Sequence, residues 1–205
     1  MRRMAGAADP GPRGTDLRST WVGASRRAEQ LAPDERYVDS LAASCSKRPT
    51  GSLERRRVIH VNVTEHPTAE WAAQQIVEAV GPDVGLARLI RDRDKIFGAA
   101  FDRRADNLGL TQLRTAPRFP WQNGFAERWV GTARREIVDQ VIVFGEHHLR
   151  RILRAYVAYY NADRPHMSLR GDAPMRRDVE PPSMGRVVAM PKLGGLHHRY
   201  TRIAA

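Results

Sequence analysis

An α/β fold with a mostly parallel sheet is what this sequence predicts, and three observations predict it. Short apolar, β-branched stretches (RRVIHVNVT, LARLIRD and LTQLRTA) alternate with amphipathic stretches of helical period. Their order, strand, helix, strand, helix, strand, helix, helix, is that of helices packed on a parallel sheet. Hydrophobic residues make up 41% of the 205, enough for one core of ordinary size.

The elements follow in order. Residues 1–54 are rich in Gly, Pro, Ser, Arg and Ala and show no sustained period, so they are expected to be a poorly ordered leader with at most one short helix. RRVIHVNVT predicts a strand that ends at Thr64. HPTAEWAAQQIVEAVGP predicts a helix with His66 as cap and Pro67 at its first position. Ala72, Ile76, Ala79 and Val80 share its inner face, and Gly81-Pro82 stops it. LARLIRD predicts a strand over 86–92. AAFDRRADNLG predicts a short helix with Phe101, Ala105 and Leu108 inward and Gly109 as its stop. LTQLRTA is a further strand. Asn123-Gly124 starts a helix whose Phe125, Trp129, Ala133 and Ile137 form a stripe. EHHLRRILRAYVAYYN is the last long helix. The core is thus expected over 55–172, and 173–205 reads as a basic tail.

The formal net charge is +11, which points to a polyanionic partner, most often nucleic acid. The leader holds nine basic and seven acidic residues, so the excess lies in the remainder. One cysteine, Cys45, excludes an internal disulfide framework and fits a reducing cytoplasm. No stretch approaches the length of a membrane span. The His147-His148 and His197-His198 pairs do not read as zinc sites, because adjacent side chains point apart. His166 is expected to fix the loop after the last helix.

Two carboxylates carry the candidate chemistry. Asp92 ends an apolar strand, where ligands gather in open α/β sheets. Glu127 stands on the first turn of a later helix. Brought together at one sheet edge, they offer the oxygen ligands that Mg²⁺ or Mn²⁺ prefers. Two such ions activate a hydroxyl and stabilise a leaving oxygen in phosphodiester transfer. Blander roles stay open at this point: RDRDK is also a solvated turn, and Glu127 also complements a helix dipole. Arg128, Arg134 and Arg135 suit phosphate contacts or a solvated face, and Gln122 and Asn123 suit a turn or a DNA contact.

Several segments in order resemble the retroviral-type integrase core of bacterial insertion-sequence transposases, the DDE recombinases. IRDRDKIFGAAF resembles the segment of the second aspartate, here Asp92. APRFPWQNGFAERWVGTARRE resembles the segment of the glutamate, here Glu127. YVAYYNADRPHMSLRGDAP resembles the closing YN-x-x-RPH-x-x-L motif, and GRVVAMPKLGGLHHRY resembles the tail of one subgroup. The resemblance implies an RNase H-like mixed sheet flanked by helices, and two divalent metals held by three acids. It also implies cleavage and strand transfer at DNA ends, with DNA as partner and a homo-oligomer as the working form. A membrane or a small-molecule substrate is not implied.

The sequence departs from the family at its start. The first aspartate is due near position 33, where Asp34 and Asp39 are the available acids. SCSKRPTGSLE cannot serve as a buried central strand, so the first hairpin of the sheet is expected to be missing or degraded, as in a copy shortened behind an unrelated leader. The alternative that follows is a catalytically dead remnant that only binds nucleic acid.

Overall fold

The computed structural model describes residues 56–80, 88–117 and 124–204, together with two short strands before them. Those strands are β1, Thr20–Trp21, and β2, Tyr37–Asp39. Then come β3 (Asn62–Thr64), α1 (Ala69–Ala79), β4 (Arg88–Arg91), α2 (Ala99–Asn107) and β5 (Thr111–Arg114). α3 (Gly124–Glu136), α4 (Glu146–Ala162), β6 (Arg186–Lys192) and β7 (His197–Ile203) complete the order. β1, β4 and β5 form a parallel sheet in that order, and β2 pairs antiparallel with β3. The expected mixed α/β order is present.

Where the first strands are expected to be missing or degraded, the structure has two short ones, of two and three residues. STWVG and RYVDS each place residues in a ladder, Trp21 beside Ile90 and Val38 beside Val63. Short runs with a β-branched or aromatic residue suffice when a neighbouring strand supplies the pairing. Asp34, Cys45 and the Gly81-Pro82 stop lie outside the described residues, as does most of the leader.

Local chemistry sets the element ends. Thr68, not His66, caps α1, because its hydroxyl accepts the Trp71 N–H at 3.1 Å. α2 stops at Gly109, whose φ of 70° lets the Leu110 N–H reach back to Ala105 O at 2.9 Å. β3 is shorter than its alternating sequence predicts. Upstream of it the Val58 N–H donates to Asn161 Oδ1 at 2.9 Å, and Asn161 Nδ2 donates to Val58 O at 2.7 Å. A side-chain amide of α4 thus stands in for a neighbouring strand.

Two apolar clusters divide the core. In one, α1 and α2 pack on β4 through Ile76, Leu89, Phe101 and Ala105. In the other, α3 and α4 pack on the β3 lead-in through Val58, Val63, Trp129, Leu153 and Tyr156. On the α3 side Trp129, Ala133 and Ile137 are buried as the period predicts, while Phe125, the fourth residue of that stripe, is half-buried. Arg150 adds a second grip of α4 on β3, donating to Asn62 Oδ1 at 2.7 Å and to Val63 O at 3.0 Å. No helix among the described residues is long and apolar enough to cross a membrane.

The segment expected to be a basic tail holds an antiparallel hairpin, β6 with β7. Only glycine fits at its base: a Cβ on Gly185 would lie 2.0 Å from Ile203 O. The His197 ring stacks on Tyr159 with centroids 4.6 Å apart, and its Nε2 meets Glu136 O at 2.9 Å. Lys192 and Arg199 stand at ion-pair distances of 3.8 and 3.3 Å from Asp163.

Asn161→Ala removes both hydrogen bonds to Val58 and leaves a buried N–H and C=O unpaired. The expected cost is about 2–4 kcal/mol, read as a lowered urea midpoint at constant slope.

Candidate metal-binding carboxylate site

Strand alternation places Leu89 and Arg91 on one face of β4, toward α2. Arg91 is only 2% exposed and lies against the rings of Phe97 and Phe101, at 5.4 and 5.5 Å from their centroids. A buried guanidinium needs partners. Asp102 of α2 accepts from its Nη2 at 2.5 Å, and Gln112 of β5 accepts from its Nε at 3.0 Å. The sequence reading missed this arginine because RDRDK reads as uniformly solvated. Its signal was the burial of the preceding residues on the same strand.

That anchor fixes the chain just before Asp92. The ladder continues one step past β5, with the Thr115 N–H donating to Arg91 O at 2.9 Å. Arg93 Nε donates to Thr115 O at 2.8 Å. Asp92 itself turns off the ladder. Its Oδ1 accepts the Asp94 N–H at 3.0 Å, and Asp94 Oδ1 accepts the Ile96 N–H at 3.1 Å. The Asp92 side chain is half-buried at the carboxyl end of β4.

Glu127, half-buried, lies on the first turn of α3. Burial raises the Asp92 pKa above the ordinary carboxylate value, and the charges of Asp94 and Glu127 raise it further. The Asp94 N–H and Arg91 oppose this shift without cancelling it. The charge of Glu127, on a separate element, therefore reaches Asp92. Among the described residues no group of three His, Cys, Asp or Glu side chains assembles. Asp92 and Glu127 fit the oxygen-donor chemistry of a divalent cation as a partial set. Asp39 ends β2, in register with Asn62 of β3, and so stands in a different ladder from β4. The strand beside β4 carries Thr20 and Trp21.

Of the basic candidates, Arg128 and Arg135 are exposed, and Arg134 lies 3.4 Å from Asp139. Gln122 and Asn123 lie outside the described residues. The closing YN-x-x-RPH motif is architectural at several positions. Arg164 Nε donates to Glu136 at 2.8 and 3.1 Å, and the Tyr156 hydroxyl donates to Glu136 at 2.7 Å. Burial opposes ionisation of Glu136, yet these hydrogen bonds hold its pKa below the usual value. His166 O accepts the Leu169 and Gly171 N–H groups, both at 2.9 Å, which closes the loop after α4.

A carboxylate with a raised native pKa binds more protons when folded than when unfolded, so its contribution to stability falls as pH rises through that window. At neutral pH the Asp92 charge is thus held at a cost. Asp92→Asn is expected to raise the melting temperature at neutral pH, and the gain should shrink as pH falls below the native pKa.

Residues 108–174 match the sequence model of the integrase core domain family. No curated protein matches the chain. Among solved structures, the catalytic core domain of BIV integrase is similar, with a TM-score of 0.53 and 15% identity. The match covers 77% of this chain and 90% of that one. At this identity the likeness is one of fold.

Proposed function

We propose, for a chain whose residues 108–174 match the integrase core domain model and whose fold is RNase H-like, that it acts on DNA in integration or transposition. In this reading Asp92 and Glu127 hold a divalent ion, Mg²⁺ or Mn²⁺, at the carboxyl end of β4. The supporting observation is that a strand-end aspartate and a helix-start glutamate lie near enough for one to shift the other's protonation. Such an ion, when bound, supplies Lewis-acid stabilisation of the oxygens in phosphodiester cleavage and strand transfer. The chain's own residues do the positioning. The buried Arg91–Asp102 pair and the ties from β4 to Thr115 hold the Asp92 backbone. Packing of Trp129, Ala133 and Ile137 holds the helix that carries Glu127. Arg134 and Arg135 are proposed to touch DNA phosphates, and the working form is proposed to be a homo-oligomer on paired DNA ends.

A second reading has its own observation. Among the described residues no third acid joins the pair, and Asp39 pairs with Asn62 rather than standing beside β4. Two carboxylates hold a hard cation less firmly than three. On this reading the chain binds nucleic acid without catalysing transfer.

Mn²⁺ binding read by electron paramagnetic resonance, with nicking of a supercoiled plasmid in the same buffer, separates the two. The expected outcome is Mn²⁺ binding that falls at least about tenfold, roughly 1.4 kcal/mol, in Asp92→Asn and in Glu127→Gln. Nicking lost with both substitutions supports the enzyme. Mn²⁺ binding without nicking in the wild type supports the second reading. Binding indifferent to both substitutions overturns the site.

A further inference from the structure

One concavity among the described residues has neither Asp92 nor Glu127 in its lining. It lies between the β3 lead-in, α3 and the loop that follows α4, with a volume near 230 Å³. On α3 it uses Phe125, Arg128, Trp129 and Thr132, spaced along one helical face, while Glu127 points from another.

Its charge is one-sided. Arg56, Arg57, Arg128 and Arg164 line it, and no lining residue is acidic. Arg164 is offset by Glu136. Arg56, Arg57 and Arg128 have no ion-pair partner among the described residues, and Arg56 lies over the Phe125 ring at 5.5 Å. The guanidiniums converge. Arg164, Arg56 and Arg128 all act on the Tyr160 hydroxyl, whose pKa burial raises first. Burial first, then Arg164 and Arg56, hold His166 down to about 4, so its ring is neutral at physiological pH.

One lining side chain also keeps an unused polar atom: Trp129 Nε1 has no hydrogen-bond partner, although Trp129 is only 3% exposed. A buried donor without a partner is uncommon. The site stands on its arginines: guanidiniums without ion-pair partners among the described residues, in a concavity with no acidic lining residue, are the chemistry of an oxyanion site.

We propose that this concavity is a second, non-catalytic site that takes a phosphate group of a nucleic-acid strand together with part of its sugar. The size favours this occupant. About 230 Å³ exceeds what a lone oxyanion fills, yet falls short of the roughly 300–1,000 Å³ of sites that engulf an organic ligand. The walls suit it as well: Phe125, Tyr160 and Pro165 offer apolar surface to a sugar, beside arginines that fork onto phosphate oxygens. The site rests on the nucleic-acid reading above but not on the metal reading.

The test uses the full chain in EDTA with a short fluorescein-labelled DNA duplex, its affinity followed by anisotropy between about 50 and 200 mM salt. Arg57 and Arg128 are exposed, so Arg57→Gln with Arg128→Gln removes charge without stranding a buried group. The expected result is a salt slope smaller by about 2, since each lost phosphate contact removes about 0.9. Arg151→Gln with Arg154→Gln, on the exposed side of α4, is the comparison pair and should change the slope little. An unchanged slope in the pocket pair, or an equal loss in the comparison pair, overturns the proposal. Inorganic phosphate, titrated alone with ³¹P line width as readout, forms the third arm. Phosphate binding lost in the pocket pair with the duplex slope intact assigns the site to free phosphate and overturns the nucleic-acid occupant. Because metal is absent throughout, failure here leaves the Mn²⁺ result for Asp92 and Glu127 standing, and the reverse also holds.

Discussion

The grip of α4 on the β3 backbone is the constraint from which the rest of this half of the structure follows. Arg150 near the start of the helix and Asn161 near its end each satisfy backbone groups of the strand segment. Their spacing of eleven residues sets α4 along the chain rather than across it. Once α4 is fixed, the tyrosines on its buried face determine what packs above. Tyr156 and Arg164 then hold Glu136 at the end of α3, and Tyr159 takes the His197 ring of the hairpin. Glu127 is one helix removed from this grip, because α3 is pinned at its far end through Glu136.

The opposite side of the molecule is held by a charge rather than by an amide. Arg91 is buried where a strand of this kind would carry valine or isoleucine. Removing a guanidinium from water is unfavourable unless its donors are all met. Gln112 and Asp102 take the Nε and Nη2 donors, and the two phenylalanine rings lie against the guanidinium. The arrangement ties β4, α2 and β5 together at the point where the chain must leave the sheet to present Asp92. A purely apolar residue at position 91 would pack equally well but would not orient three elements by directional bonds. The polar network is therefore best understood as a positioning device, with stability a secondary effect.

How much of this was legible follows from the kind of signal each feature leaves. The four helices stand near their predicted places, because each buries a stripe of period 3.6 that a sequence displays directly. The α1 cap was misplaced by two residues because Pro67 suggested a first helical position, whereas the Thr68 hydroxyl supplied the acceptor. β3 was overestimated because alternation reports a half-buried extended chain and cannot say whether its amides find a strand or a side chain. The β6–β7 hairpin was read as a tail although RVVAMPK and HHRYTRI flank a Leu-Gly-Gly turn, a signal available in advance. β1 and β2 left almost no trace, because two or three residues are too few to show a period. Asp92 and Glu127 were legible as residues; that the Glu127 charge reaches Asp92 required the fold.

The geometry of α3 accounts for a helix that carries Glu127 on its first turn and arginines along the rest of its length. A helix has room for separate faces, and this one divides three tasks among them. Trp129, Ala133 and Ile137 face the core. Glu127 lies on a different face, and its charge is one of those that raise the Asp92 pKa. Arg128 and Thr132 face the concavity toward α4, where every charge is positive. Had the acid stood on the arginine face, the guanidiniums would have neutralised it and consumed a phosphate contact as well. In the reading proposed above, segregating them by about 100° per residue leaves the acid to a metal and the arginines to an anion. Helical geometry thus sets the place of Glu127 off the face that lines the concavity, while Glu136, at the far end of the helix, is taken up by Arg164 and Tyr156.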